Sequence, residues 1–424
     1  MKKILVYPCG TEIGLEVYRS LCYSTHYEIY GGSCSYDHGR FVFKNHIDKL
    51  PFITDMSTAG EVDAFNEAIA GYSFDFIYPA MDGIVNVFSK FKEHLTPTVL
   101  APVCETTEIT RSKRKTYEIL NGIVPIPEIY DSKEAIMEFP VFVKPDVGQG
   151  SVGAKMVNSI EDIESIDFKQ YLCLEWLPGE EYTVDCFTNS EGKLIYAKGR
   201  GRKRIKNGIS VNAVFVDNPL FIEYAEKINK KIKQKGGWFY QVKEARDGTL
   251  KLLEVASRIA GTSAITRCIG INLPLLTVNL FDGFAIDDLI ANTYDIELDR
   301  ALQNVYKVRL SYGTVYFDYD DTFVERGIIN TQMIKFAYQC VNHGIKLVLL
   351  SKHVGDLNAE LARYYMVGLF DEIIQIERER NKYEYITSAN AIFIDDSFGE
   401  RRMVREKCGI PVFDTHMVEC LLED

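Results

Sequence analysis

The sequence predicts a chain of mixed α/β and α+β class: an open-sheet α/β domain, a strand-rich middle, and a second, doubly wound parallel-sheet domain. Three observations predict it. The chain opens as strand, glycine turn and helix. Its middle third alternates apolar and polar residues. From about residue 310 strand and helix patterns alternate again. At 424 residues the chain has room for two or three domains of ordinary size.

The opening "KKILVYPCG" followed by "TEIGLEVYRSL" reads as strand, turn and helix, and "FDFIYPA" (74–80) as a second buried strand, so residues 1–105 form the first predicted domain. Whether the Gly10 turn only connects or also binds a ligand stays open at this level. From Thr110 a basic helix, "TRSKRKTYEIL", begins the second domain, 106–305. In it "FPVFVKPDVGQGSVGAKMV", "YLCLEWLPGEEYTVDCFTN", "GKLIYAKGRGR" and "LKLLEVASR" are strands, and "LPLLTVNLFDGFAIDDLIANTYD" is a helical connector. The third domain, 306–424, carries strands "GTVYFD", "IKLVLLS", "AIFIDD" and "IPVFD", with helices "NTQMIKFAYQCVNHG" and "DLNAELARYYMVG" between them.

Composition narrows the function. Hydrophobic residues are 46% and charged residues 25%, the balance of a soluble globular chain. Net charge is -12, from 48 Lys and Arg against 60 Asp and Glu, which argues against nucleic-acid binding because phosphate backbones need a basic footprint. Ten cysteines stand at scattered positions with no CxxC pair, so no zinc site or disulfide framework is signalled and a reduced, cytoplasmic setting is expected. The apolar run after Met1 is too short for a signal peptide, and no segment has the length of a membrane span.

In "FVKPDVGQGSVGAKMV", Lys144 ends an apolar strand just before a glycine-rich loop. Gly148, Gly150 and Gly153 let the backbone close over a ligand with N–H groups aimed at phosphate oxygens, and Lys144 adds a point charge. Lys113 starts a basic helix suited to anionic groups. In "CLEWLPGEEYTVD", Glu175 and the Leu177 backbone stand at a strand-to-loop hinge where an adenine edge could bond, with Glu181 spaced for ribose hydroxyls. The hairpin "YQVKEARDGTLKLLEVASRIAGTS" carries Gln241 and Glu254, oxygen ligands of the kind Mg²⁺ accepts, and then Arg258, a guanidinium for phosphoryl or carboxylate oxygens.

Taken in order, this set resembles the ATP-grasp superfamily over residues 1 to about 305, specifically carboxylate–amine ligases similar to the carbamoyl-phosphate synthase large subunit. The resemblance implies a pre-ATP-grasp α/β domain ahead of an ATP-grasp fold. It implies Lys113, Lys144 and the loop residues Gly148, Gly150, Ser151 and Gly153 at the ATP phosphates, and Glu175, Leu177 and Glu181 at adenosine. Gln241 and Glu254 would hold Mg²⁺, with Mn²⁺ as a substitute. Arg258 would steady the transferred phosphoryl group, and Arg202 and Arg204 would lie toward the acyl substrate. One departure stands out. The family pattern Glu-x-Asn-x-Arg reads "EVASR" here, so Ala256 offers no oxygen where the Asn would.

Asp318 and Asp320 in "FDYDDT" are two apart, so their side chains leave one strand face while Asp321 points away. "AIFIDD" brings Asp395 and Asp396 to the end of another apolar strand, and in an open parallel sheet both ends face one crevice. Converging carboxylates there ask for a hard cation such as Mg²⁺. Ser351, ending "KLVLLS", and Lys382 would complete a phosphate cradle. This order resembles the haloacid-dehalogenase-like (HAD-like) phosphohydrolases, with a Rossmann-like sheet, over residues 312–424. The resemblance implies Asp318 as nucleophile, Asp320 as general acid and base, Asp395 and Asp396 as Mg²⁺ ligands beside Asp318 and Asp320, and Ser351 and Lys382 as stabilisers of the phosphoryl oxygens. The intervals between these motifs leave no room for a cap domain. Either the phosphorylated substrate is large, or another part of the chain covers the site. The resulting expectation is a ligase joining a small-molecule carboxylate to an amine through an acyl phosphate, fused to a phosphatase. The alternative is a phosphatase whose ATP-grasp region only binds nucleotide. Neither a nucleic acid nor a membrane is expected as partner, and a homo-oligomer is left open.

Overall fold

Lys2–Tyr7 is the centre of a five-stranded parallel sheet because Ile4, Leu5, Val6 and Tyr7 are buried on both faces, as such a sheet requires. A computed structural model describes residues 1–148, 150, 152–164, 166–206 and 209–423, with residues 205, 206 and 209 by backbone alone. The chain divides into two units, Met1–Leu302 and Gln303–Asp424.

Among the described residues the first unit contains three sheets. Strands within residues 2–99 pair in parallel in the spatial order third, second, first, fourth, fifth. The order reverses beside the first strand, so a crevice opens where Tyr7 and Pro79 end their strands. A four-stranded antiparallel sheet contains Val141–Pro145 and Tyr171–Glu175, and a six-stranded antiparallel sheet contains Glu181–Thr188, Leu194–Lys206, Gly236–Glu244 and Leu250–Ala256. Helix Glu12–Leu21 and helix Leu273–Phe281 share one apolar core, through Ile13, Val17, Leu273 and Val278.

The basic helix expected from Thr110 is two helices, Cys104–Arg111 and Lys113–Leu120. Ser112 is extended between them (φ -101°, ψ 119°), and its hydroxyl accepts from the Lys115 N–H as an N-cap. The expected helical connector is shorter than its apolar pattern. It stops at Phe281, just before Gly283, which adopts φ +92°, and regular structure resumes only at Glu297–Asp299.

The second unit repeats the strand order of the first sheet. Thr314–Phe317 lies between Lys346–Ser351 and Ala391–Ile394, with Glu372–Gln375 and Val412–Phe413 outermost, all parallel. Glu372–Gln375 was not expected from the sequence, because only one of its residues is even half-buried and no apolar run marks it. Helices Thr331–Asn342 and Leu357–Arg363 form where expected, and Phe398–Cys408 adds another. Two apolar cores lie wholly within this unit, one around Phe317, Phe323 and Leu349, the other around Tyr316, Val348 and Phe393. Among the described residues no helix is long and apolar enough to cross a membrane.

Candidate active sites

In the first unit most of the expected residues line two adjoining cavities, and Lys113, Gly148, Gly150, Glu254, Ala256 and Arg258 also line a smaller one of about 40 Å³. One, of about 180 Å³, is lined by Lys113, Lys144, Gly148, Gly150, Glu181, Arg202, Gln241 and Glu254, among others. The second, of about 240 Å³, opens at the crevice of the parallel sheet, where Thr11, Glu12 and Ile13 meet Ala80, Met81 and Asp82. The turn after the first strand therefore lines a cavity as well as connecting. Gly150, Arg202, Gln241 and Glu254 line both cavities. Gln241 and Glu254 are direct cross-strand partners, so their side chains leave the sheet on one face.

Lys144 is buried, 7% exposed, and its ammonium donates to the Tyr117 hydroxyl and the Leu253 carbonyl, each at 2.9 Å. Both partners are neutral. Burial, reinforced by Lys113, pushes its pKa down to about 7 against a smaller opposing pull from Glu254. A buried cation with neutral partners facing a cavity is a fitting seat for an anionic phosphate. The loop that follows takes the conformation its glycines permit, with Gly150 at φ +62° and Gly153 at φ +76°. Ser151 lies outside the described residues.

Lys113 opens its helix beside Asp146, to whose carbonyl its ammonium donates at 3.3 Å, while the Asp146 carboxylate accepts from the Ser112 hydroxyl at 2.9 Å. Arg111, which the sequence reading missed, donates to the Gly148 carbonyl at 3.0 Å and to Asp55 at 2.8 Å, tying the glycine loop to the first domain. Arg258 is held by Asp82 through two bonds of 2.8 and 2.6 Å. Burial would raise the Asp82 pKa, but Arg258, with Arg111 and Lys113, overcomes it and holds the carboxyl below its ordinary value. Buried Arg200 pairs in the same way with Asp185, 2.7 Å from Nε, and lines the second cavity. The run "GRGRKR" was the available signal for Arg200. Asp55, Asp82 and Asp185 carried none.

Two expected residues, Glu175 and Arg204, are placed otherwise. Glu175 turns its carboxylate to Lys251 and lines a separate depression of about 300 Å³ with Trp176 and Tyr130. The Leu177 side chain is buried, which leaves the reading of its backbone as it stood, and the ring of Trp176 beside it lies 6.1 Å from that of cavity-lining Phe142. Arg204 is exposed and pairs with Asp299, because a bulge between Gly201 and Arg204 breaks the alternation that would have put it beside Arg202. Glu181 is bound by Arg202 at the wall of the first cavity. Ala256 is buried against Phe239 and Ala260 and presents only a methyl group.

Residues 167–302 match the family model described as "ATP-grasp in the biosynthetic pathway with Ter operon". The first unit has an ATP-grasp fold. A carbamoyl-phosphate synthase of Methanobrevibacter smithii is 27% identical over 227 residues, covering 47% of this chain and 62% of that relative. This chain therefore spans less than two thirds of that relative's length. Among solved structures, the biotin carboxylase domain of Hydrogenobacter thermophilus 2-oxoglutarate carboxylase, in complex with MgADP, ADP and bicarbonate, superposes with TM-score 0.56 at 14% identity, covering 69% of this chain and 72% of that one. The L-amino acid ligase of Bacillus licheniformis gives TM-score 0.53 at 15% identity, covering 67% and 75%. Lys144, from the four-stranded sheet, and Gln241 and Glu254, from the six-stranded sheet, line one cavity.

In the second unit most of the expected residues stand at strand ends. The strand expected to carry Asp318 and Asp320 ends at Phe317, so simple alternation does not govern them. Asp318 is 7% exposed, whereas Asp320 turns outward to His353 and Asp321 adopts φ +53°. Oxygens of Asp318, Asp395 and Asp396 lie within 4.8 Å of one another, a donor set that suits a hard divalent cation, and the Asp320 carboxylate is not among them. Lys382 bridges Asp318 and Asp395 at 2.6 Å each. Burial pushes Asp395 up to about 7, with Asp318 adding to it, and burial likewise raises Asp318 despite Lys382. The two acids hold Lys382 above its ordinary value against its own burial. Ser351, fully buried, ends the neighbouring strand. Arg401, unanticipated, donates to the Asp395 and Asp396 carbonyls at 2.6 Å and fixes the acidic turn.

Proposed function

We propose that this chain is an ATP-dependent carboxylate–amine ligase fused to a HAD-like, Mg²⁺-dependent phosphatase, arranged as a pre-ATP-grasp domain (1–105), an ATP-grasp domain (106–305) and a capless phosphatase domain (306–424). The observation that carries the ligase reading is the Gln241–Glu254 pair on the wall shared by the two cavities. Nucleotide in the first cavity would place its terminal phosphate beside that pair, and a carboxylate in the second would meet it there. Lys113 and Lys144 would hold phosphate oxygens, with Gly148, Gly150 and Gly153 closing over them. Arg258, kept in place by Asp82, would steady the phosphoryl group as it passes to the carboxylate, and the amine would then displace phosphate. Mg²⁺, held by Gln241 and Glu254, would supply charge neutralisation at the transferring phosphoryl group.

In the second unit Asp318 would attack phosphorus and form an aspartyl phosphate. Asp320 would protonate the leaving oxygen and then take a proton from the attacking water. Lys382 and Ser351 would bind phosphoryl oxygens, and Mg²⁺ at Asp318, Asp395 and Asp396 would offset the gathered charge.

ADP release measured across candidate acids and amines tests the ligase. Release that requires both an acid and an amine is expected, whereas nucleotide binding without release under any pairing would remove the ligase. The second reading, nucleotide binding alone beside an active phosphatase, is favoured by one observation, the apolar packing of Ala256 where an oxygen ligand is expected.

A further inference from the structure

Asp320 lies beyond the strand that ends at Phe317, with its side chain 54% exposed, and a carboxylate on such a loop samples many rotamers unless something holds it. His353 holds it. The Nδ1 atom lies 2.9 and 3.1 Å from the two Asp320 oxygens, so Nδ1 carries the proton and donates. His353 is itself fixed at three points. Its backbone N–H donates to the Ser351 hydroxyl oxygen at 3.1 Å, its carbonyl accepts from Gln375 at 2.9 Å, and its ring edge meets Tyr319 at 5.3 Å and 86°. Because Ser351 accepts from that N–H, its own proton remains available for another acceptor. One residue thus links the two groups that must face the substrate together, Ser351 through its backbone and Asp320 through its ring.

The geometry points to His353 as a positioning residue that sets the Asp320 carboxyl for proton transfer to the leaving oxygen, an inference that rests on the phosphatase reading. Asp320 enters the cycle as the neutral acid, its carbonyl oxygen accepting from His353. In the first step an Asp318 oxygen bonds to phosphorus as the ester P–O bond breaks, and the departing oxygen takes the Asp320 proton. In the second step water bonds to phosphorus, the bond to Asp318 breaks, and the water proton returns to Asp320. Proton transfer matters most when the leaving group is a poor one. Removing the imidazole donor therefore slows esters of weakly acidic alcohols and phenols far more than esters of strongly acidic ones.

Two substrates read this in the full chain with Mg²⁺: phenyl phosphate, a poor leaving group, and p-nitrophenyl phosphate, a good one. His353→Phe keeps a ring beside Tyr319 but donates nothing, with His353→Ala in its place should the Phe variant not fold. The expected result is a loss of at least about tenfold in kcat for phenyl phosphate and less than about threefold for p-nitrophenyl phosphate. His353→Asn, whose amide can donate from near the Nδ1 position, restores most of the phenyl phosphate rate. A wild type inert toward both esters overturns the phosphatase reading and this inference together. If Asp318→Asn abolishes turnover but loss of the imidazole slows both esters by one factor, or neither, the phosphatase stands and the role of His353 falls.

Discussion

Lys144 gives the sharpest test of the proposed nucleotide site. Its ammonium is buried among neutral partners, and burial holds its pKa at about 7 against an ordinary 10.5. That difference corresponds to roughly 4–5 kcal/mol. Between pH 7 and 10.5 the unfolded chain binds a proton here that the folded chain does not, so stability rises with pH across that window; below about pH 7 both forms are protonated and the full penalty applies. Phosphate oxygens in the cavity would favour the charged lysine and return its pKa toward the ordinary range. ATP binding should then take up about 0.9 proton at pH 8, about 0.5 at pH 7 and almost none at pH 6. Calorimetric titrations in two buffers of different ionisation enthalpy measure that uptake. In Lys144→Met the uptake should vanish, the ATP affinity should fall about 10- to 100-fold for the loss of a charged hydrogen bond, and the nucleotide-free protein should melt no lower at pH 6. Zero uptake at pH 8 in the wild type, or the same uptake in Lys144→Met, would show that the phosphates bind elsewhere.

Other outcomes follow from the same geometry. Asp318→Asn nearly preserves volume and removes the nucleophile, so Mg²⁺-dependent hydrolysis of an aryl phosphate should fall to background; residual turnover would move the chemistry to another group. Ala256→Asn would supply the missing oxygen beside Glu254 at a cost of about 1–3 kcal/mol for overpacking against Phe239 and Ala260. The variant should melt lower yet release ADP at lower Mg²⁺, and an unchanged Mg²⁺ dependence would remove Ala256 from the metal site. Cutting the chain between Leu302 and Gln303 should leave a carboxyl-terminal piece that folds, since its two cores are internal to it. If that piece hydrolyses phosphorylated substrates as fast as the full chain, the notion that another part of the chain covers the proposed phosphatase site is wrong.

Much of both candidate sites was legible because the signals are local. A lysine at the end of an apolar strand, glycines that must reach positive φ, and acids directly after buried strands are consequences of strand period and backbone sterics, readable within ten residues. The same period put Gln241 and Glu254 on one hairpin face. What the sequence could not place were partners chosen across distance. Arg111 meets Asp55 across 56 positions and Arg258 meets Asp82 across 176, and no spacing rule reaches so far. Local irregularities also defeated alternation: one bulge sends Arg204 to Asp299, and a strand that stops at Phe317 frees Asp320 to reach His353. By itself, then, the sequence determined the strands that a buried apolar run marks, though not Glu372–Gln375, and which residue types stand at their ends. Only the tertiary structure decided which ends meet, because strand order is set by the packing of helices onto both sheet faces, a property of the assembled core and of no single segment.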